Sequence, residues 1–376
     1  MIRPFAAVAL LLAVPAAAQA PLPTNADPAF ARSLAAGYKA LMRSGALANQ
    51  SDASAFRRTT TSVDEMELTG IYPELEPLMP RVTASVFRGP YARISYVAAR
   101  YGSDGAEQFA VFREGKGCAL APHGTQRADL PRIFPDMLPV EGSVPVLSPP
   151  PSPGFTPRLL DPLKSALAGK YGERTRTTAV LVTQDGKFVD SGYAPGYASD
   201  TKQRTWSVAK SIAATLIGAA VQRGETKVSQ SAGLGRGPAD PLRAITIDNL
   251  LRMASGRTSE TPGNRTDALY FGGYSVDETA LGGPLAAKPR TVFRYANNDT
   301  LAAVKAIAPT FAAHPPSELF RKLGMLDTIA ETDWKGDYVL SSQVWSTAPD
   351  LARLGNLYLN DGKWGKERIL PKGWRA

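Results

Sequence analysis

Histidine and cysteine are scarce in this chain. Its 376 residues include two histidines, His123 and His314, and one cysteine, Cys118. A lone cysteine excludes an internal disulfide, and no metal-ligand spacing surrounds it; Cys118 reads as a small buried residue. A Ser-His-Asp triad would need one of the two histidines as its base. His314 precedes Pro315-Pro316 and His123 sits in the Gly-containing "APHGT", so both read as surface loop residues. There is no G-x-S-x-G elbow, no H-E-x-x-H, no Walker A loop and no G-x-G-x-x-G following a strand. Zinc, nucleotide and histidine-based acyl chemistry therefore lack their usual carriers. No apolar run beyond the N-terminus is long enough to span a bilayer. The net charge of +9 is spread along the chain without a block of like charges. Basic residues near aromatics, such as Arg88 and Arg93 around Tyr91, are too scattered for a nucleic-acid patch.

What is present starts with a leader. "MIRPFAAVALLLAVPAAAQA" has a positive Arg3, an apolar stretch over Ala6–Val14 and small residues after it. This is the pattern of a secretory signal peptide over residues 1–20, with cleavage after Ala18 or Ala20. The expectation is a periplasmic or secreted protein with no integral membrane segment once the signal is removed. Residues 21–137 form an N-terminal extension: Phe30, Leu34, Tyr38 and Leu41 at helical spacing, then β-like runs at 81–87, 92–99 and 108–114. Residues 138–157, rich in Pro and Ser, read as a linker. The remainder, 158–376, opens with a helix and then a hairpin turning at Asp185-Gly186. A long helix follows, and then a lobe of short helices. "TIDNLLRMASG" predicts an N-cap at Thr246 and a helix end at Gly256, and "TAPDLARLGNLYLNDG" a capping box of Thr347 with Asp350.

One constellation can do acyl chemistry without histidine. In "RTWSVAKSIAATLIGAAVQRG" Ser207 stands three residues before Lys210, at the head of an apolar run. That spacing puts both on one helical face, with the serine near the positive end of the helix. Burial would lower the lysine pKa enough for it to take the hydroxyl proton. The spacing alone does not discriminate, since Ser199 and Lys202 share it. Context does: Ala209, Ile212, Ala213, Leu216, Ile217 and Ala220 define an apolar face behind Ser207, opposite a face of small residues. A second candidate is Tyr295 and Asn297 in "FRYANND"; Tyr358 and Asn360 repeat its spacing. Tyr295 would shuttle the proton with Lys210, and Asn297 would hydrogen-bond a substrate amide or carbonyl.

"WSVAKS" and "RYANND" resemble the first and second boxes of the serine β-lactamase and penicillin-binding-protein-like hydrolases. The resemblance extends to "TIDNLLRMASG", "LFRKLGMLDT" and the segment from Ser346 to Trp374. It is nearest to the branch of 6-aminohexanoate-dimer hydrolases, family VIII-type esterases and class C β-lactamases. "FREGKGCAL" (112–120) is similar to an extension in the aminohexanoate-hydrolase-like members. The resemblance implies an α/β fold: a β-lactamase/transpeptidase-like α/β sandwich with an antiparallel sheet, plus an all-helical lobe. It also implies a serine hydrolase with Ser207, Lys210 and Tyr295 as catalytic residues, Asn297 binding a small amide or ester substrate, and no metal or organic cofactor. Ser207 N–H would be one oxyanion-hole donor. The family's second donor comes from a third box, Lys-Thr-Gly, His-x-Gly or a Gly-rich variant, on a late strand. No such box follows Tyr295, and the chain ends where the returning strands would begin. The domain is therefore expected to lack its C-terminal sheet strands, as a fragment of a longer protein or as a truncated, inactive or binding-only member. β-Lactamase and D-alanyl-D-alanine carboxypeptidase activities are the alternatives within the enzyme class.

Overall fold

The computed structural model describes residues 27–50, 59–69, 73–89, 93–130, 157–258 and 266–374. The expected signal peptide lies outside the described residues, as does the Pro-rich segment up to residue 156.

Helix α1 (Pro28–Ala48) starts where Asp27 accepts a hydrogen bond from Ala29 N, with Pro28 in the first turn. Its four spaced apolar residues, Phe30, Leu34, Tyr38 and Leu41, are all buried. Helix α2 (Thr60–Glu67) follows. Four strands, β1 (Val82–Arg88), β2 (Ile94–Tyr101), β3 (Gln108–Arg113) and β4 (Gly117–Leu120), form an antiparallel meander in sequence order. This sheet packs on α1.

Helix α3 (Pro157–Leu167) leads into β5 (Ala179–Gln184) and β6 (Lys187–Tyr193). Their turn is the expected one: Asp185 and Gly186 both have positive φ, 52° and 75°, as a two-residue hairpin of matching twist requires. Among the described residues this hairpin is a two-stranded sheet, and α3 packs on β6. Strand β7 (Gln203–Arg204) precedes α4 (Ala209–Gln222). All six residues of the expected α4 face are buried. On its small-residue face, a Cβ on Gly218 would come 2.7 Å from the Trp374 ring, so the glycine is what admits that side chain.

The helical lobe holds α5 (Ile247–Leu251), α6 (Asp267–Phe271), α7 (Val276–Thr279), α8 (Asn297–Ile307) and α9 (Pro316–Lys322). Helix α8 packs on α4 and α5. Strands β8 (Ile329–Ala330) and β9 (Val344–Ser346) join β7 in the order β7-β9-β8. Helix α10 (Ala348–Leu359) then packs on β5, and a small hairpin of β10 (Lys363–Trp364) and β11 (Glu367–Arg368) follows. Every named strand pair is antiparallel, so the chain is an α/β fold with antiparallel sheets.

Two local expectations are corrected. Thr246 caps α5 through Asn249, but the helix ends at Leu251 rather than at Gly256. The left-handed position beyond it is taken by Met253 (φ 52°). Gly256 instead permits a close approach of two chain segments, since a Cβ there would lie 2.2 Å from the Ala287 carbonyl oxygen. Thr347 caps α10 by accepting from Asp350 N, but the capping box is not reciprocal. The Asp350 carboxylate instead accepts from Asp327 N and the Thr328 hydroxyl.

Candidate active site

Ser207 lies two residues before α4, in a 3-10 turn over Trp206–Val208 that runs into the helix. Lys210 is in the first turn of α4. Its Nζ donates to Ser207 Oγ at 3.1 Å and to the Ser341 carbonyl oxygen at 2.8 Å. Tyr295 arrives from the loop before α8, and its hydroxyl donates to Ser207 Oγ at 2.7 Å. The Lys210 ammonium lies 5.0 Å from the centroid of the Tyr295 ring. Two side chains, one of them 88 residues away, thus converge on the Ser207 oxygen.

Burial holds the Lys210 amine below the ordinary lysine range, partly opposed by its hydrogen bond to Tyr295. Ser207 and Tyr295 are exposed, which leaves the oxygen open to a carbonyl compound from solvent. Asn297 opens α8 two residues beyond Tyr295 and is half-buried. Its neighbour Asp299 is buried against Ser255 and Arg257, with 2.8 Å and 3.0 Å contacts that fix the start of α8.

The rival pairs are engaged elsewhere. Lys202, spaced from Ser199 as Lys210 is from Ser207, is buried in an ion pair with Asp327 at 3.0 Å. The Tyr358 hydroxyl pairs with Thr215, and Asn360 caps the end of α10. His314 pairs with Glu318 and Glu225, and His123 with Ser33. Cys118 is free and buried, and among the described residues no three potential metal ligands cluster.

Two contributors carry no motif. The Ser341 carbonyl is a main-chain acceptor, and no letter of the sequence announces it. Behind it the Tyr270 hydroxyl pairs with Ser341 Oγ at 2.6 Å, from a buried side chain. Only the run of polar residues in "LSSQ" hints that this turn is not plain core.

A family model described as Beta-lactamase matches residues 165–375. Among solved structures, the chain is similar to a Bacillus anthracis protein described as a 6-aminohexanoate-dimer hydrolase, at 21% identity and a TM-score of 0.46, covering 56% of this chain and 60% of that one. A Bacteroides dorei protein described as a beta-lactamase matches at 23% identity and 0.46, covering 58% and 68%. The octameric penicillin-binding protein homologue from Pyrococcus abyssi matches at 17% and 0.44, covering 58% of each chain. The chain thus spans less than two thirds of the first of these structures. No curated protein matches it in sequence.

Proposed function

The chain belongs to the Beta-lactamase family, and from that premise we propose that it is an exported serine hydrolase cleaving a small amide or ester through an acyl-Ser207 intermediate. The observation that carries this reading is the convergence of Lys210 Nζ and Tyr295 Oη on Ser207 Oγ. Neutral Lys210, with Tyr295 as relay, takes the Ser207 proton as Oγ bonds to the substrate carbonyl carbon. Collapse breaks the bond to the leaving amine or alcohol, which receives that proton. Water then attacks the acyl carbon, the acid product leaves and Ser207 regains its hydroxyl. These steps use side chains and water alone.

The similarity of residues 112–120 to an extension of aminohexanoate-hydrolase-like proteins favours amidase or esterase activity over antibiotic hydrolysis. The leader pattern of residues 1–20 supports a periplasmic or secreted location. Among the described residues no helix is long and apolar enough to cross a membrane.

A second reading, binding without turnover, is favoured by one observation. Among the described residues, β5 and β6 pair with each other and with no further strand that could offer a second N–H to the reacting carbonyl. Loss of one oxyanion donor costs about 100–1000-fold in rate.

A fluorophosphonate probe, which reacts with an activated serine, tests the first reading. Ser207→Ala is expected to abolish labelling, and Ser199→Ala to leave it unchanged. Equal labelling of the two variants overturns the assignment. Steady product release from a p-nitrophenyl ester rejects the binding-only reading, and a single labelling event without turnover supports it.

A further inference from the structure

The residue before the candidate nucleophile has an unusual backbone. Trp206 has φ 47°, a region that a bulky side chain enters only when its surroundings impose it. Those surroundings centre on Arg204. Its guanidinium lies 4.3 Å from the Trp206 ring centroid, and the Phe271 ring meets the indole edge-on at 6.4 Å. Arg204 is 5% exposed. Its Nη2 donates to Ser342 Oγ at 2.7 Å, and its Nη1 donates to Met42 Sδ of α1 at 3.1 Å. Ser342 adjoins Ser341, whose carbonyl holds Lys210 Nζ. One buried side chain therefore touches both the turn that carries Ser207 and the turn that carries the acceptor for Lys210.

We infer that Arg204 is a positioning residue for the Ser207–Lys210 pair, fixing the two turns at one spacing through its stack on Trp206 and its bond to Ser342. This rests on the reading of Ser207 as the nucleophile. A guanidinium suits this role because it is planar: its face stacks on the indole while N–H groups at its edge reach an acceptor. A lysine ammonium in the same place could take the acceptor or face the ring, without holding both in one rigid geometry. The link to Met42 makes α1, far away in sequence, part of what supports the reacting groups.

The test measures the fluorophosphonate labelling rate of the full chain against pH. It compares wild type with Arg204→Lys, Ser342→Ala and a control, Lys202→Met, which breaks the ion pair with Asp327 instead. Circular dichroism confirms folding of each variant. Arg204→Lys is expected to label about 100-fold more slowly, the scale of a small misplacement of reacting groups. Its pH midpoint should move upward, because a loosened Ser341 turn admits water to Lys210 and weakens the burial that lowers its proton affinity. Ser342→Ala should shift rate and midpoint in the same directions by less, and Lys202→Met should shift neither per folded molecule. Folded Arg204→Lys or Ser342→Ala labelling at the wild-type rate and midpoint overturns the inference; if Arg204→Lys does not fold, Ser342→Ala decides. A wild-type chain that is not labelled at all overturns the Ser207 reading, and this inference falls with it.

Discussion

Lys210 is the residue through which pH should act. Burial depresses its pKa in the folded chain, so the folded state binds that proton less tightly than the unfolded state. The charged form thus costs stability in full below the lowered folded value, and the cost fades as pH rises toward the ordinary lysine value of 10.5. On the proposed mechanism serine reactivity follows the same deprotonation, so labelling should rise with pH through a midpoint below 10.5. Lys210→Arg, which cannot release a proton near neutrality, should lower the labelling rate by about 100-fold or more. A rate independent of pH from 6 to 10 (roughly the range spanned by depressed lysines) would reject Lys210 as the base. Glu331 is a second buried titrating group. Burial raises its pKa, opposed by hydrogen bonds from Cys118 N and Asn49 Nδ2, both 2.9 Å. A raised carboxyl pKa means the folded chain retains its proton better, so stability from this group falls as pH climbs through the folded value. Glu331→Gln preserves an acceptor for both donors and should be close to neutral in urea denaturation. Glu331→Ala strands them and should cost about 2 kcal/mol. At this scale the sequence made Ser207, Lys210 and Tyr295 legible as a spacing with an apolar face behind it. The Ser341 carbonyl and the Arg204 stack were not legible, because one is main chain and the other depends on chain segments from residue 42 to residue 342 meeting.

Elements were readable where their cause was local. The β5–β6 hairpin followed from two turn residues whose positive φ is a property of Asp-Gly itself, and α1 from its apolar spacing. The end of α5 was not readable. Met253 adopts a left-handed conformation while its carbonyl accepts from Arg294 N and Arg290 N reaches Ala254, contacts made only once the lobe has assembled. Close packing between elements was equally silent. A Cβ on Gly37 would lie 1.9 Å from the Phe271 carbonyl oxygen, because α1 and α6 meet backbone to backbone. Gly37→Ala should therefore destabilise the chain by about 1–3 kcal/mol despite the better helix propensity of alanine. A urea midpoint at or above wild type would show that α6 can move away at no cost.

At the scale of the whole molecule, the Pro-rich 138–157 segment separates two stretches of sequence, yet their buried side chains share one cluster. Leu34, Tyr38 and Met42 of α1 pack with Tyr270, Phe271, Val339 and Trp345. The expected consequence is a single cooperative transition, with Trp fluorescence and far-ultraviolet circular dichroism giving one coincident melting curve. Two separated transitions would show that the segments on either side of 138–157 unfold independently. Periodicity and turn chemistry report what each segment buries, but not which distant segment it is buried against.

Cys118 sits on the seam between these stretches, its thiol 2.8 Å from Ser44 Oγ and its backbone held by Glu331. Burial pushes that thiol well above its usual pKa, so in the closed molecule it is shielded and un-ionised, and inert to alkylating reagents. The chain thus carries its own clock. The rate at which iodoacetamide consumes one thiol per molecule measures how often the seam between α1, β4 and the stretch beyond residue 157 opens, with no label introduced and no second sulfhydryl to confuse the count.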